Sequence, residues 1–298
     1  MSDHPMQSLS VLIPAYNCNC LSLVEQLHSQ LEQAGIPYEI IVGDDGSTDT
    51  SAIQANQPIN ALSHCRYIVR TENTGRASIR NFLAQIAQYE FLLLIDSDMS
   101  VVSETFIQNY LNADCQTVVD GGITICGSPD DQKGNLRYLY EQAEAPRHTA
   151  AERQRSPHQH IHTANLLIRR DLLLQYPFDE RFRHYGYEDV LLGKTLHQHH
   201  VPILHIDNPL GMGTFETNAA FVAKTEEGLR TLHTFRNELR GYSRLLTLVS
   251  GIHLSIVRNL IRLWHQVFKK AERRNLCGSR PSLWVFKLYR LGYYLSLQ

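Results

Sequence analysis

The chain has 298 residues, of which 43% are apolar, a composition that is typical of a globular protein and excludes an intrinsically disordered one. Its formal net charge is −2, but residues 241–298 carry ten Lys and Arg against one acid, so this segment stands at +9 and the remainder at −11. The longest uncharged apolar-rich stretch, residues 245–257, is too short to span a membrane. The N-terminus lacks the basic and apolar regions of a signal peptide, so we expect a cytoplasmic protein.

Six cysteines are scattered along the chain, and we expect free, reduced thiols because a disulfide framework is not typical of a chain this long. They are Cys18, Cys20, Cys65, Cys115, Cys126 and Cys277. Cys18 and Cys20 form a C-x-C pair that could contact a metal, but no second pair follows at the spacing of a zinc site.

The first elements form a strand, helix and strand unit. The apolar run 9–13 predicts a buried strand. Ser22 and Glu25 have the spacing of a capping box, and Gly35 follows the last apolar position of the helix that they would begin. A second strand is predicted over 38–42, so the two strands should be parallel and their crossover right-handed.

The same alternation continues with a short strand at 67–70, a helix over about 75–88 and a buried strand at 91–95. The later elements predicted are strands at 118–126, 164–170 and 201–206, helices at 188–199 and 217–239, and a loop or weak helix over the site at 141–162. The fold class is therefore α/β, with a Rossmann-like, mostly parallel central sheet flanked by helices. Sheets of this kind bind ligands beyond the carboxyl ends of their strands.

Acid-rich loops follow these strands. Asp96 and Asp98 close the run at 91–95, and carboxylates two residues apart on a strand point the same way, so both could face a divalent cation. Alternatively, Asp96 caps the following helix and Asp98 is solvated. Asp44 and Asp45, after the second strand, supply acceptors for a base or ribose, or else a turn that caps the next helix.

Two arginines begin the predicted helix at 75–88. Arg76 and Arg80 are four residues apart on its polar side, so they could offer two guanidinium groups to a diphosphate. The alternative is an ordinary solvated helix face.

Six segments together resemble family 2 glycosyltransferases of the glycan-assembly type, over residues 9 to about 230. They are SVLIPAYN (10–17), EIIVGDDGSTD (39–49), NTGRASIRN (73–81), FLLLIDSDM (91–99), TANLLIRRDLL (163–173) and FDERFRHYGYEDVLLGKTL (178–196). The resemblance implies a GT-A fold, a nucleotide-diphosphate sugar donor, Mg²⁺ or Mn²⁺, and transfer of a hexosyl or N-acetylhexosaminyl group with inversion at the anomeric carbon.

The resemblance also implies roles for individual residues. The donor-binding positions are Pro14, Ala15, Tyr16, Asn17, Asp44, Asp45, Arg76, Arg80, Asp96 and Ser97. The metal would lie on Asp98 with Asp96. The acceptor-side positions are His162, Thr163, Asn165 and Tyr187.

The catalytic positions implied are Glu188 and Asp189, which match the E-D motif of the family, and Asp189 would be the general base for the acceptor hydroxyl. Asp189 stands at the start of a predicted helix, where the helix dipole favours its ionised form. The alternative is that both acids simply occupy a first helical turn. One departure is the absence of a His at about Gly211 or Met212, so His205 is the candidate for a third metal ligand. The clustered histidines His158, His160, His197, His199 and His200 are expected on the surface.

The basic segment 241–298 is predicted as an amphipathic helical extension of a catalytic domain at 1–240, whose nucleotide-binding half is about 9–114 and whose acceptor half is about 115–240. Its apolar and basic residues coincide, which favours attachment to the inner face of a membrane, and the alternative is packing on the catalytic domain or on a second copy. The partners expected are a nucleotide-sugar donor and a glycan or lipid-linked acceptor, with no nucleic acid. The competing functions are a nucleotidyltransferase and a nucleotide-sugar-binding protein that has lost catalysis.

Overall fold

The computed structural model describes residues 6–114 and 117–298, which excludes Cys115 from the residues described here. The strands are β1 (Leu9–Ala15), β2 (Tyr38–Asp44), β3 (Cys65–Val69), β4 (Phe91–Ile95), β5 (Met99–Val101), β6 (Val118–Asp120), β7 (Ile123–Ile125), β8 (Asn165–Arg169), β9 (Ile203–His205) and β10 (Leu210–Met212). The α-helices are α1 (Leu21–Ala34), α2 (Thr50–Asn56), α3 (Arg76–Ile86), α4 (Phe106–Leu111), α5 (Leu136–Glu144), α6 (Ala150–Gln154), α7 (Arg170–Gln175), α8 (Glu188–Gln198), α9 (Asn218–Thr234), α10 (Arg244–Gly251), α11 (Ser255–Leu276) and α12 (Leu283–Ser296).

Within the described residues the main sheet has seven strands in the order β3-β2-β1-β4-β8-β6-β9. Strands β3, β2, β1 and β4 pair in parallel, whereas β8 is antiparallel to both of its neighbours. Strands β1, β2 and β4 are almost wholly buried because helices cover both faces, which explains their mostly apolar sequences, whereas the edge strand β3 is partly exposed. The predicted α/β class with a mostly parallel sheet is confirmed.

A smaller sheet, β5-β10-β7, lies next to the carboxyl end of β4. Strand β5 begins at Met99, directly after Asp98, and pairs antiparallel with β10 so that Met99 lies opposite Met212. This sheet brings residues from three distant parts of the chain to the end of β4.

Helix α1 begins differently from the prediction. Its N-cap is Cys20, and no side chain caps it, so the Ser22–Glu25 capping box is wrong. The amide of Cys20 instead donates to Oδ1 of Asn56, at 2.9 Å. Gly35 ends the helix with φ of 66°, a conformation that glycine adopts without strain.

The predicted loop at 141–162 contains the end of α5, all of α6 and two short 3₁₀ turns. A buried charged residue, rather than an apolar face, attaches this segment to the main sheet. Arg153 on α6 is 1% exposed and donates to the carboxylate of Asp120 at the end of β6.

The basic segment folds back onto the rest of the chain through two apolar cores. One contains Phe182, Leu229, Leu232, Leu239, Leu246, Val249, Tyr294 and Leu295. The other contains Leu136, Phe221, Val222, Leu276, Phe286 and Tyr289. Helix α12 therefore packs on the rest of the chain, which was the alternative to membrane attachment. The face of α11 that points away from these cores stays exposed.

Among residues 6–114 and 117–298, no helix combines the length and apolar character needed to cross a bilayer. The described cysteines, Cys18, Cys20, Cys65, Cys126 and Cys277, are free thiols, as expected.

Candidate active site

Two cavities meet at the carboxyl ends of β1, β2 and β4. The first, of about 290 Å³, is lined by the predicted donor residues Pro14, Ala15, Tyr16, Asp45, Arg76, Arg80, Asp96 and Ser97, together with Asp98. The second, of about 380 Å³, is lined by Asp98 and by the predicted catalytic and acceptor-side residues His162, Thr163, Tyr187, Glu188 and Asp189. Asp96, Asp98, Arg76 and Tyr185 line both cavities, so they form the boundary between them.

Asp96 and Asp98 reach this boundary by a route other than the predicted one. Strand β4 ends at Ile95, and the two acids lie in a turn in which the amide of Met99 donates to the carbonyl of Asp96 at 3.2 Å. Strand alternation therefore does not orient them. The turn nevertheless presents both side chains to both cavities.

The two carboxylates differ in their electrostatics. Burial raises the pKa of Asp96, but the charges of Arg80 at 2.7 Å and Arg76 at 3.9 Å outweigh it, and the net pKa lies below the ordinary value. Asp98 is exposed, yet partial desolvation beside the cavities and the neighbouring Asp96 charge raise its pKa. Among the described residues, no Lys, Arg or His lies within ion-pair distance of Asp98. A bound cation would stabilise the ionised form of Asp98 and offset its repulsion from Asp96, so the residues present fit a metal.

The donor atoms also fit a hard cation. Asp98 and Asp96 offer carboxylate oxygens, which are the ligands that Mg²⁺ and Mn²⁺ prefer. In the described part of the chain no group of three or more His, Cys, Asp or Glu side chains forms a metal cage. The remaining ligands of such an ion would be water and substrate phosphate, as is usual for Mg²⁺.

His205 does not complete this site, and its assignment as a third metal ligand is wrong. Its ring is buried, with Nδ1 3.0 Å from Nη1 of Arg153 and Nε2 3.0 Å from the carbonyl of Pro157. It belongs to the Asp120–Arg153 network and does not line either cavity. The position where a His was expected is taken by Met212, which lines the second cavity.

The sequence placed Arg80 on the polar side of its helix, and the structure instead buries it. Its guanidinium is 1% exposed and lies between Oδ1 of Asp96, at 2.7 Å, and Oε1 of Glu188, at 3.0 Å. Both of these acids hold the guanidinium in place, and its contact with a diphosphate stays a prediction, since Arg80 also lines the first cavity. Arg76, the other arginine of the predicted pair, is half exposed at the boundary of the cavities, where it can reach a diphosphate.

Asp44 and Asp45 both hold loops in place. Asp44 is buried and accepts from the amide of Ser47 and from the hydroxyl of Tyr67, each at 2.7 Å. Asp45 accepts from the amides of Thr74 and Gly75, at 3.0 and 2.8 Å. Asp45 lines the first cavity and Asp44 does not, so contact of Asp44 with a base stays a prediction.

Asn17 likewise lies outside the lining of the first cavity. Its Oδ1 accepts from the amides of Thr48 and Asp49, each at 2.9 Å, and thereby joins the loops after β1 and β2. Asp49 in turn caps α2 by accepting from the amide of Ser51 at 2.9 Å. The capping turn considered for this loop is therefore present next to the cavity.

The E-D motif begins helix α8. Tyr187 precedes it with φ of 73°, Glu188 pairs with Arg80, and Oδ1 of Asp189 accepts from the amide of Val190 at 2.7 Å. Burial and the adjacent Glu188 charge raise the pKa of Asp189 to about 6, against the smaller effect of the Val190 amide. The expectation that the helix dipole would favour the ionised form is outweighed by these two effects. A carboxylate with this pKa is well suited to accept a proton near neutral pH.

Of the acceptor-side residues, Asn165 has a different role. Its side chain is fully buried and bonds to the hydroxyl of Tyr110 at 2.7 Å and to the carbonyls of Gly122 and Asn208 at 2.7 and 2.8 Å. It therefore joins β8 to the smaller sheet and does not reach the second cavity. Its placement on the acceptor side is wrong because every side-chain polar atom is used by the fold.

Sequence reasoning missed one wall of the second cavity. The residues of this wall come from α5, from the segment that leads into α9, and from α9 and α12: Arg137, Tyr140, Glu216, Phe221, Lys224, Phe286 and Arg290. No spacing pattern joins them because tertiary packing alone brings them together. The basic charge of residues 241–298 was the available signal for Arg290.

The chain has the fold of a GT-A glycosyltransferase. It superposes on the mannosyltransferase PcManGT from Pyrobaculum calidifontis, solved with GDP-Man and Mn²⁺, with a TM-score of 0.57 and 13% identity, covering 98% of this chain and 86% of that one. A model of glycosyl transferase family 2 matches residues 10–176, and the chain belongs to this family.

Sequence relatives agree with this family. A glycosyltransferase of Haemophilus influenzae is 28% identical over 132 residues, which are 44% of this chain and 51% of that protein. A poly(ribitol-phosphate) beta-glucosyltransferase of Bacillus spizizenii is 35% identical over 106 residues, which are 34% of this chain and 16% of that protein. The matched segments thus span about half or less of these relatives.

Proposed function

We propose that this protein transfers a sugar from a nucleotide-diphosphate donor to an acceptor hydroxyl, with inversion and with the help of Mg²⁺ or Mn²⁺. The observation that carries the proposal is that Asp98 and Asp189 line one cavity, beside a second cavity built from the strand-end loops. A metal held by carboxylates can stabilise the departing diphosphate, and a proton acceptor can activate the attacking hydroxyl, so the two together promote direct displacement at an anomeric carbon.

Each part of the reaction has its residues. The nucleotide would occupy the first cavity, with Arg76 beside its diphosphate and Asp98 and Asp96 holding the metal. When bound, the metal would neutralise charge on the departing diphosphate. Asp189 would take the proton of the acceptor hydroxyl in the second cavity, and because one displacement occurs, the configuration inverts. Arg80 keeps Asp96 ionised and fixes Glu188 beside the base.

The test is a donor panel. Thermal unfolding is measured with Mn²⁺ and UDP, GDP, UDP-GlcNAc or GDP-mannose, because a ligand that binds only the folded state raises the melting temperature. Hydrolysis of the sugar nucleotide that stabilises most is then followed. We expect Asp98→Asn to weaken nucleotide binding by about tenfold or more. Asp189→Asn should retain binding but lower turnover by about 10² to 10⁴.

Asp130→Asn, which removes an exposed carboxylate, is the matched control and should behave as the wild type. Lack of stabilisation by every nucleotide would contradict the proposal. Binding without hydrolysis or transfer would favour a nucleotide-sugar-binding protein. The nucleotidyltransferase alternative has no support, since the loop after β1, PAYNCNC, lacks the Gly-rich basic sequence that such chemistry uses.

We also propose that the exposed face of α11 binds an anionic membrane, so that the acceptor is lipid-linked. Ile256, Leu260, Leu263 and Val267 recur along one helix face with 56 to 65% of each residue exposed. Exposed basic residues, including Lys269 and Lys270, follow on the same helix. Apolar surface beside positive charge is what an anionic bilayer attracts.

Vesicle flotation tests this membrane contact. We expect the protein to float with phosphatidylglycerol vesicles and much less with phosphatidylcholine vesicles. Replacing Leu260, Leu263 and Val267 by Gln should reduce flotation at least tenfold, whereas Leu174→Gln, at an exposed leucine of α7, should not. Equal flotation of both variants would contradict this contact.

A further inference from the structure

Arg290, on helix α12, lines the second cavity and differs from the Lys and other Arg residues there in its partners. The other cations of that cavity have carboxylate partners: Arg137 lies 2.7 Å from Glu141, Lys224 lies 3.3 Å from Glu216, and Arg76 lies 3.9 Å from Asp96. Among residues 6–114 and 117–298, no carboxylate lies within ion-pair distance of Arg290.

Aromatic groups surround Arg290 instead. Its guanidinium carbon lies 5.7 Å from the ring centre of Tyr140 and 5.6 Å from that of Phe286. Its Nη1 donates to the hydroxyl of Tyr140 at 3.4 Å, and its Nε is buried without an acceptor in the described structure. A guanidinium held in this way is partly desolvated and keeps unused donors.

The position of Arg290 is fixed by its helix. Phe286 and Tyr289 are buried in the core shared with α5 and α9, and Nη1 of Arg230 on α9 donates to the hydroxyl of Tyr293 at 2.6 Å. These contacts fix the backbone of Arg290, and the rings of Tyr140 and Phe286 hold its guanidinium beside the cavity. Its charge is held at the cavity wall, as in sites that bind an anion.

We propose that Arg290, with Arg137 beside the same cavity, binds a phosphate group of the acceptor. The inference rests on the proposed function, since it takes the second cavity as the acceptor site. Neither arginine lines the first cavity, where Arg76, Asp96 and Asp98 serve the donor. Both share the second cavity with Asp189, so a bound phosphate would hold the acceptor near the base. The guanidinium fork of Arg290 matches the geometry of phosphate oxygens, and Arg137, whose Nε lies 2.7 Å from Glu141, adds positive charge with its remaining N–H groups.

The experiment compares binding of inorganic phosphate, acetate and a nucleoside diphosphate with Mn²⁺, by titration calorimetry at constant ionic strength. Arg290→Met keeps an unbranched side chain among the aromatic rings and removes the charge. Arg290→Lys keeps the charge without the fork. Lys287→Met, on the exposed side of the same helix, makes the same change of charge and is the matched control.

We expect wild type to bind phosphate more tightly than acetate, and Arg290→Met to bind phosphate about tenfold or more weakly. Lys287→Met should bind as the wild type, and Arg290→Lys should fall between the wild type and Arg290→Met. Nucleoside diphosphate affinity should change less than twofold in all three. If Arg290→Met does not fold, Arg290→Lys decides by the same comparison.

Three results would overturn the proposal. They are equal binding of phosphate and acetate by wild type, unchanged phosphate affinity after the loss of Arg290, and an equal loss of nucleotide affinity, which would place Arg290 on the donor. Failure of the proposed function is distinguished by a separate result, the absence of nucleotide binding by wild type. The comparison of phosphate binding among the Arg290 variants can still be made in that case.

Discussion

Arg80 donates from Nη1 to Oε1 of Glu188 across 3.0 Å, and this ion pair joins positions that are 108 residues apart in the chain. The same guanidinium reaches Asp96 at 2.7 Å. The turn after β4 and the start of α8 are thus held by one buried cation. The relative position of the proposed metal carboxylates and the proposed base depends on it.

Removing this cation should be costly. Arg80→Met leaves two largely buried carboxylates without their partner, and we expect a loss of about 3 to 5 kcal/mol in the free energy of unfolding. Urea denaturation measures it. The matched control is Arg155→Met, since Arg155 makes a 2.8 Å pair with Glu152 on the surface, where both side chains are at least 40% exposed. That change should cost less than about 1 kcal/mol, and similar losses in both variants would contradict the role of Arg80.

Asp189 should make stability depend on pH. Its pKa is raised from 3.8 to about 6 in the folded state, so the folded state holds the proton more tightly than the unfolded chain. The free energy of unfolding should therefore fall as pH rises from about 4 to about 6, through this group alone. Asp189→Asn removes this cost, and we expect it to stabilise the protein by about 3 kcal/mol at pH 7.5 and by little at pH 4.

A control variant tests whether loss of any surface carboxylate has the same effect. Asp130→Asn, at an exposed position, should show no such pH-dependent difference from wild type. A constant difference between Asp189→Asn and wild type across pH 4 to 7.5 would show that the Asp189 carboxyl is not destabilised by burial.

Turnover should respond to the same ionisation in the opposite sense. A base must be deprotonated to accept a proton, so kcat/KM for sugar transfer or donor hydrolysis should rise with pH and level off above the pKa of about 6. The profile is measured between pH 5 and 8 with saturating Mn²⁺. A flat profile over that interval would remove Asp189 from the role of base.

The packing of α12 on α11 depends on a close approach at Gly292. A Cβ there would lie 2.6 Å from Cβ of His265 and 2.9 Å from its Cγ. We expect Gly292→Ala to destabilise the protein by about 1 to 3 kcal/mol, measured by urea denaturation, and to weaken phosphate binding through the displacement of Arg290.

Gly251→Ala is the matched control for this prediction. Gly251 ends α10, and a Cβ there would have no atom within 4 Å. Alanine favours the helix, so we expect no change or a gain of up to about 1 kcal/mol. Equal destabilisation in both variants would argue against a specific close approach at Gly292.

Much of the fold could be predicted because each core strand corresponds to a short apolar run of consecutive residues. The runs at 9–13, 38–42 and 91–95 are mostly apolar, with Ser10 and Glu39 as the exceptions, and each is a buried strand. The placement of Asp96, Asp98 and Asp189 at one site followed from strand ends and motif order. These features depend on neighbours in sequence and therefore leave a readable pattern.

The predictions that failed concern contacts between distant residues. Arg80 at a helical spacing from Arg76 looks solvated, and only the fold brings Glu188 to it. Asn165 and His205 are polar residues that other parts of the chain satisfy fully, so their availability could not be judged from their identity. Arg290 reaches the cavity through helix packing that no local periodicity encodes.

Helices α11 and α12 pack on each other as a hairpin, and this packing has a consequence for the proposed membrane contact. Packed helices lie with their axes about 8 to 10 Å apart. Whatever surface the apolar face of α11 contacts is therefore held at a fixed depth from the wall that carries Arg290. If α11 contacts a membrane as proposed, the hairpin would set the distance from the bilayer to the second cavity, and the length between the attachment point and the hydroxyl of an acceptor would affect its transfer as well as its sugar.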